Sequence, residues 1–172
     1  MQLEKGCMAI VEPRKHLAFD FVVHNFHNRL LNWPIHVFHG SQNEEFVRDK
    51  CKDITQVIFH PLHKNNLSLR DYNRLLTSTD FYANFAESAE YVMIFQTDCL
   101  LFPHCPFDIE YFLGYDYIGA LWSWYLTSDR NGKGRGGNGG LSLRKVQTMI
   151  DMTLAHQYPL EAVSYTHLRA HE

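Results

Sequence analysis

The stretch YVMIFQTDCLL, residues 91–101, joins an unbroken apolar run to a short polar interruption. Its first five residues are typical of a strand that is buried on both faces, as in parallel sheets covered by helices. Gln96, Thr97 and Asp98 follow before the chain becomes apolar again. A carboxylate in apolar surroundings needs a hydrogen-bond donor, an opposite charge or a metal ion. The segment therefore predicts a buried strand that ends at a candidate site around Asp98.

Strand-like runs alternate with longer helical patterns along the first half of the chain. Strands separated by helices at this spacing are typical of βαβ units, so we predict a layered α/β fold with a mostly parallel sheet. The predicted strands cover 7–11, 35–39, 55–59 and 91–95, and the predicted helices cover 16–32, a segment opened by a Ser41/Glu44 capping box, and 69–85 as one helix or two short ones.

The predicted helix at 16–32 has apolar residues at helical spacing, which indicates that it is well buried. We place the centre of its apolar stripe at Leu17, Phe21, His24, Asn28 and Leu31, widened by Phe19, Val22, Val23, Phe26 and Leu30.

The second half of the chain contains YDYIGA at 115–120 and GNGGLSLR at 137–144. The glycine pair allows a ligand to approach the backbone closely, and the alternating residues after it predict a short strand. Ser142 and Arg144 then point away from Leu141 and Leu143, and a helix is predicted after Lys145.

A glycine-rich loop at 131–137 formally contains the pattern G-x-G-x-x-G. A dinucleotide fingerprint follows the first strand of a βα unit and opens a helix, whereas this loop comes late in the chain. Two interpretations stay open: a mobile loop that carries Lys133 and Arg135 in solvent, or a flexible lid over an anionic ligand.

Polar residues lie at the carboxyl ends of three of the predicted strands, as Glu12-Pro13-Arg14, His39-Gly40 and Thr97-Asp98. The carboxyl ends of parallel strands meet at one edge of a sheet, and ligands bind outside that edge. The topology alone therefore predicts a site along this rim.

Composition limits the classes of partner. With 45% hydrophobic residues and a net charge of −3 spread over 172 residues, the chain is expected to form one globular domain that does not bind nucleic acid. It has no apolar run of about 20 residues and no apolar leader, so we expect no membrane segment and a cytoplasmic location.

Cysteine and histidine do not suggest a metal centre. The four cysteines have no C-x-x-C spacing and are predicted to be reduced thiols in or near the core. The H-x-x-H pairs His24/His27, His36/His39 and His60/His63 have no third ligand at a fixed spacing, and we interpret them as surface and loop histidines.

The last ten residues, VSYTHLRAHE at 163–172, look like the translation of a sequencing adapter. We therefore expect a domain at 1–162 that is incomplete at its carboxyl end, followed by a non-native tail.

Four motifs together resemble a family of glycosyltransferase-like domains of unknown function: VEPR at 11–14, FQTDCLL at 95–101, YDYIGALW at 115–122 and GNGGLSLR at 137–144. The resemblance covers about residues 7–160. It implies the GT-A fold, a Rossmann-like α/β sandwich. It also implies transfer of a sugar from a nucleotide-sugar donor to a glycan, protein or small-molecule acceptor, with Mn²⁺ or Mg²⁺ held by a D-x-D element.

The resemblance also implies roles for individual residues. Asp98 is the expected metal ligand, although Gln96 stands where D-x-D has its first aspartate; the alternative is that Asp98 caps a turn. Arg14 is expected near the nucleotide, or on a phosphate as a bidentate contact. The expected donor-binding residues are Glu12, Pro13, Arg14, Gln96, Thr97, Asp98, Asn138, Gly139 and Gly140, and the expected acceptor or sugar pocket contains Asp116, Trp122 and Trp124. Asp116 could instead cap the strand beside it.

An inverting transferase needs a general base, which similar enzymes place after the glycine motif, where the adapter-like tail begins here. Two alternatives to the transferase therefore remain. The chain could be a non-catalytic module that binds a nucleotide or a glycan, which Gln96 and the absent base favour. A flavodoxin-like or dinucleotide-binding domain ranks last, because no usable phosphate fingerprint is present.

Overall fold

The structure is a computed structural model that describes residues 4–121 and 137–155. Over these ranges the chain forms one sheet of six strands in the order β3-β2-β1-β4-β6-β5. The strands are β1 (Glu4–Val11), β2 (Ile35–His39), β3 (Val57–Pro61), β4 (Ala89–Phe95), β5 (Tyr117–Leu121) and β6 (Gly137–Lys145). The helices are α1 (Phe19–Arg29), α2 (Glu44–Lys50), α3 (Leu69–Leu76), α4 (Thr79–Ala83) and α5 (Val146–Ala155), with a 3₁₀ turn at Ile109–Phe112.

The sheet is mostly parallel, as predicted. β1 runs parallel to β2 and to β4, and β3 runs parallel to β2. β6 is antiparallel to both of its neighbours, β4 and β5. The predicted Rossmann-like α/β fold with helices flanking a central sheet is therefore confirmed.

Hydrophobic cores cover both faces of the sheet, because successive residues of a strand point to opposite sides. Met8 and Ile10 of β1 pack with α1, whereas Cys7 and Ala9 pack with α4 and α5. On the α1 side the rings of Phe26 and Phe95 stack with their centroids 4.0 Å apart. This two-sided burial explains why the central strands are almost entirely apolar.

Helix α1 buries a different face from the one we predicted. Leu17 is 99% exposed, and Phe21 and Leu31 are also exposed. The buried residues are Phe19, Val22, Val23 and Phe26, which we had placed at the edge of the stripe. The prediction was wrong because Leu17 and Leu31 lie outside α1, and because the spacing did not show that Phe21 faces away from the sheet.

The predicted capping box of α2 is also wrong. The helix begins at Glu44 after Asn43, and its N-terminal residue makes no side-chain capping bond. Ser41 instead donates its hydroxyl hydrogen to Asn65 Oδ1, at 3.1 Å. A tertiary contact therefore takes the hydroxyl that the local pattern assigned to the helix.

The predictions for the rest of the chain are largely confirmed. Residues 69–85 form the two short helices α3 and α4, capped by the hydroxyls of Ser68 and Ser78. Leu143 lies in the core on the α1 side, and Arg144 contacts Tyr82 on the other side. All four cysteines are free, although Cys105 is exposed. None of the helices in the described ranges is long and apolar enough to cross a bilayer.

Two of the histidines are not surface residues. His36 and His39 in β2 are 2% and 1% exposed, because every position of this strand is buried. Their rings lie on opposite faces of the sheet, as expected for this spacing in a strand: His36 stacks on His60, and His39 lies edge-on to Phe59.

Candidate functional site

The strand order reverses between β1 and β4, since β2 and β3 lie on one side of β1 and β4 lies on the other. In open α/β sheets, ligands bind outside the carboxyl ends of the strands at such a reversal. A cavity of about 380 Å³, here called the cleft, lies at this position. The order of the strands therefore accounts for the location of the cleft.

The cleft brings together six of the residues that the sequence marked as donor-binding. They come from the two loops that follow β1 and β4, and their alignment follows from the pairing of Ile10 with Phe95. The six residues are Glu12, Pro13, Arg14, Gln96, Thr97 and Asp98.

The remaining wall was not predicted. It comes from the start of α3 and the loop before it, and the hydroxyl of Ser68 fixes the start of this helix by accepting the N–H of Asp71 at 3.1 Å. The pattern S-x-x-D marks a helix start, but it does not show which end of the sheet that start approaches. The residues of this wall that were missed are Asn66, Leu67, Ser68, Leu69 and Tyr72, and His16, from the loop after β1, was missed as well.

Glu12 and Arg14 form a close ion pair in the cleft. The carboxylate of Glu12 accepts the backbone N–H, Nε and Nη2 of Arg14 at 3.1, 2.8 and 3.0 Å. This pairing raises the pKa of Arg14. Glu12 is 4% exposed, whereas the Arg14 side chain is more than half exposed. Glu12 thus occupies the edge of the guanidinium formed by Nε and Nη2, and the edge formed by Nη1 and Nη2 is left for the phosphate contact that we expected.

Asp98 is exposed rather than buried. Its Oδ1 lies 3.6 Å from the thiol of Cys99, and the same thiol lies 3.4 Å from the carbonyl oxygen of Gly140. The expectation that burial forces a partner on this carboxylate was therefore wrong. Asp98 faces the cleft with its oxygens accessible to a ligand.

The glycine pair lies beside the cleft. Gly140 is linked to it through Cys99, and the carbonyl of Gly139 accepts a hydrogen bond from Ser142 Oγ at 3.1 Å. A Cβ atom on Gly139 would lie 2.8 Å from Arg144 Nη2, so a side chain here would displace the arginine. The space beside Gly139 is thus taken by the protein's own arginine, and the approach of a ligand to the glycine pair stays a prediction.

Asp116 lies at the other end of the sheet. Its backbone oxygen accepts the N–H of Lys145, which pairs with Tyr91 near the start of β4. Its carboxylate accepts the hydroxyl hydrogen of Thr148 at 2.7 Å. The structure therefore does not bring Asp116 to the cleft, and its alternative role at the end of a strand agrees better with these contacts.

Several predicted features lie outside the described residues. These are Trp122, Trp124, the loop with Lys133 and Arg135, the adapter-like tail at 163–172 and the side chain of Asn138.

The described lining of the cleft has one net negative charge. Glu12 and Arg14 neutralise each other, which leaves the charge of Asp98. Burial raises the pKa of the Tyr72 hydroxyl to about 12, while the neighbouring Gln96 side chain and Arg144 act in the opposite direction. Tyr72 is therefore neutral at physiological pH and does not offset the charge of Asp98.

The residues around Asp98 could hold a divalent cation only in part. Within the described ranges, no group of three or more His, Cys, Asp and Glu side chains could bind a metal by itself. One carboxylate with the oxygens of Thr97 and Gln96 fits the pattern of magnesium sites that are completed by substrate phosphates and water.

The fold and the position of the cleft define a Rossmann-like α/β domain with a site at its strand reversal. The chain belongs to the family described as "Protein of unknown function (DUF5672)", whose model matches residues 56–172. No curated protein sequence matches the chain.

Several solved structures share the fold. A 4-diphosphocytidyl-2C-methyl-D-erythritol synthase from Anaerococcus prevotii aligns with a TM-score of 0.57 and 8% identity, over 91% of this chain and 79% of that one. TarS 1–349 of S. aureus aligns with a TM-score of 0.57 and 10% identity, over 92% of this chain and 51% of that one. The galactosyltransferase LgtC, solved with donor and acceptor sugar analogs, aligns with a TM-score of 0.56 and 12% identity, over 92% of this chain and 63% of that one. At these identities the likeness establishes the fold alone.

Proposed function

We propose that the chain is the donor-binding part of a glycosyltransferase that transfers a sugar from a nucleotide-sugar to an acceptor, assisted by Mn²⁺ or Mg²⁺. The observation that carries this proposal is the open carboxylate of Asp98 in a cleft at the reversal between β1 and β4. The shared fold with LgtC, which was solved with donor and acceptor sugar analogs, supports the same class of ligand.

The charge of the cleft favours a requirement for a cation. A nucleoside diphosphate is an anion, and the described lining has a net negative charge because Arg14 is already paired with Glu12. Two like charges that share a site repel each other, so a divalent cation between Asp98 and the diphosphate would make binding favourable. When bound, such an ion neutralises the charge that develops on the departing nucleotide.

The chain's own residues divide the proposed site into two parts. Glu12–Arg14 and the wall formed by residues 66–69 and Tyr72, here called the Tyr72 wall, both line the cleft and would hold the nucleoside. The glycine strand edge, reached through Cys99, lies next to Asp98 and would border the sugar. A glycine edge suits this position because a ligand can approach backbone groups directly. No residue is assigned as the general base.

The second candidate is a non-catalytic module that binds a nucleotide or a glycan. Gln96 in place of a second carboxylate favours it, as does the lack of a metal-binding cluster among the residues that the structure describes. Such a module would bind its ligand in the same cleft and leave it intact.

The proposed role of Asp98 is tested by titrating UDP, GDP and their sugar conjugates into the protein with and without Mn²⁺, using calorimetry. We expect Mn²⁺ to tighten binding by about tenfold or more, and Asp98→Asn to remove this gain. The matched control is Asp108→Asn, which changes an exposed aspartate without a side-chain capping bond, outside the cleft.

Turnover decides between the transferase and the binding module. Release of the nucleotide from a bound nucleotide-sugar would support the transferase. Binding without release, also by a chain in which the native sequence replaces residues 163–172, would support the module. Binding that is the same with and without Mn²⁺, and unchanged in Asp98→Asn, would remove the proposed role of Asp98.

A further inference from the structure

The turn between β2 and α2, residues 40–43, lies directly behind the Glu12–Arg14 wall of the cleft. Asn43 is 1% exposed and belongs to this turn. Its Nδ2 donates to the carbonyl oxygens of Glu12 and Arg14, at 2.9 Å each. Its Oδ1 accepts the N–H of Gly40 at 2.8 Å. One buried amide therefore joins the turn to both sides of Pro13.

Gly40 packs against the carbonyl that lies between those two. A Cβ atom at Gly40 would stand 2.9 Å from the backbone oxygen of Pro13 and 2.6 Å from Asn65 Oδ1. Real Cβ atoms do not approach a backbone oxygen this closely, so glycine is needed for the contact. The carbonyls of three consecutive cleft residues are thus all set against the same turn.

The turn also reaches the opposite wall. Asn65 Oδ1 accepts the hydroxyl hydrogen of Ser41 at 3.1 Å and the N–H of Gln42 at 2.9 Å. Asn65 directly precedes Asn66, which lines the cleft. The turn therefore bonds Glu12 and Arg14 directly and meets the other wall through the residue that precedes it.

The chemistry of the amide explains why asparagine is suited to this position. A single NH₂ group has two donors, and both are used here on carbonyls that flank a residue with no N–H of its own. A carboxylate of the same shape has no donors, and it would place a negative charge against two carbonyl oxygens. The orientation of the peptide groups around Pro13 depends on these two bonds.

We infer that Asn43 is a positioning residue for the cleft: without touching the ligand, it fixes the Glu12–Arg14 wall and thereby the fit of the nucleoside. This inference rests on the proposed function only in requiring that the cleft binds a nucleotide. The geometry of the turn, residues 40–43, stands without that requirement.

The test compares wild type with Asn43→Asp and with Asn43→Ala, which removes the donors without adding a charge. The matched control is Asn84→Asp, because Asn84 Nδ2 also donates to two backbone carbonyls, those of Asp80 and Phe81, on an exposed helix end. Amide hydrogen exchange is measured in peptides spanning 11–16 and in β4, and binding of UDP and GDP with Mn²⁺ is measured by calorimetry.

We expect exchange at 11–16 to rise in both Asn43 variants while β4 keeps wild-type exchange, and nucleotide binding to weaken by about tenfold or more. The Asn84 variant should match wild type in both measurements. If Asn43→Asp does not fold, Asn43→Ala is read in the same way.

A rise in exchange that extends equally through β4 would show a general structural role and overturn the inference. Unchanged exchange at 11–16, or unchanged nucleotide affinity despite a local rise, would also overturn it. If wild type binds neither nucleotide, the proposed function fails, and the local exchange alone then decides whether Asn43 positions the wall.

Discussion

Arg144 Nη1 donates to the hydroxyl of Tyr82 at 2.5 Å, and both side chains are buried. The tyrosine hydroxyl in turn donates to the carbonyl of Leu76 at the end of α3, at 2.9 Å. The guanidinium also bonds Ser142 in its own strand, at 3.0 Å. The pair therefore links the glycine-containing strand β6 to the short helices on the far face of the sheet.

Removal of both members of this pair should cost less than the sum of the two single changes. In a double-mutant cycle of Arg144→Met with Tyr82→Phe, we expect a coupling energy of about 1–3 kcal/mol, because charge-assisted bonds in a buried network depend on each other. Urea unfolding gives the four free energies. The control cycle combines Lys145→Met with Tyr82→Phe. Lys145 lies 3.7 Å from the exposed Glu90 rather than on Tyr82, so the free energies of this cycle should be additive. Additivity in the Arg144 cycle would contradict the prediction.

The Glu12→Gln substitution should strengthen metal-free binding of a nucleoside diphosphate. The change keeps the side-chain volume but removes one negative charge, so the described lining becomes neutral and the Arg14 guanidinium no longer has a charged partner. We expect affinity in EDTA at low salt to rise by about tenfold, as measured by calorimetry. Glu44→Gln is the control, because Glu44 pairs with Arg48 on α2 outside the cleft. Weaker binding in Glu12→Gln would show that its charge does not oppose the ligand.

Mild acid should destabilise the pairing of β2 with β3. His36 Nδ1 lies 2.8 Å from His60 Nε2, the rings stack with centroids 5.0 Å apart, and Phe85 packs on His36. Burial lowers the pKa of His36 from 6.5 to about 4, and the charge of His60 acts in the same direction. The pKa of His60 is also lowered, first by burial and then by His39.

The sign of this pH effect follows from the depressed pKa of a base. The unfolded chain takes up protons below pH 6.5 that the folded chain does not, so stability is full above that pH and is lost as the pH falls towards 4. The loss from His36 is on the order of 3 kcal/mol. Urea midpoints between pH 7.5 and 4 measure it. His36→Asn should reduce the slope with pH, and His63→Asn, at an exposed site, should not; equal slopes in all three proteins would refute the assignment.

The strand ends were predictable from the sequence, whereas the wall of the cleft that contains Tyr72 was not. Val11 and Phe95 end apolar runs, and parallel pairing then places the next residues of both strands at one rim whatever the side-chain details. The Tyr72 wall depends on how the connection after β3 folds back. Leu67 and Leu75 of this connection pack against the core, and the core residues that they contact are far away in the sequence.

Polarity misled the prediction in two places for one physical reason. His36 was assigned to the surface because its side chain is polar, but a stacked ring on a neighbouring strand compensates its burial. Leu17 was assigned to the core because it is apolar, yet it precedes α1 on the side away from the sheet. The local sequence gives the polarity of a side chain, whereas its burial depends on neighbours that come from other strands and helices.

The position of β6 between β4 and β5 has a consequence for synthesis. β5 is made first, but its hydrogen-bonding neighbour β6 is 16 or more residues behind it on the ribosome. Until β6 arrives, the far edge of β4 presents unpaired backbone groups that can join with another nascent chain. A translational pause that keeps β6 inside the ribosome while β4 is already outside should therefore increase co-aggregation of growing chains, and a pause after β6 has emerged should not.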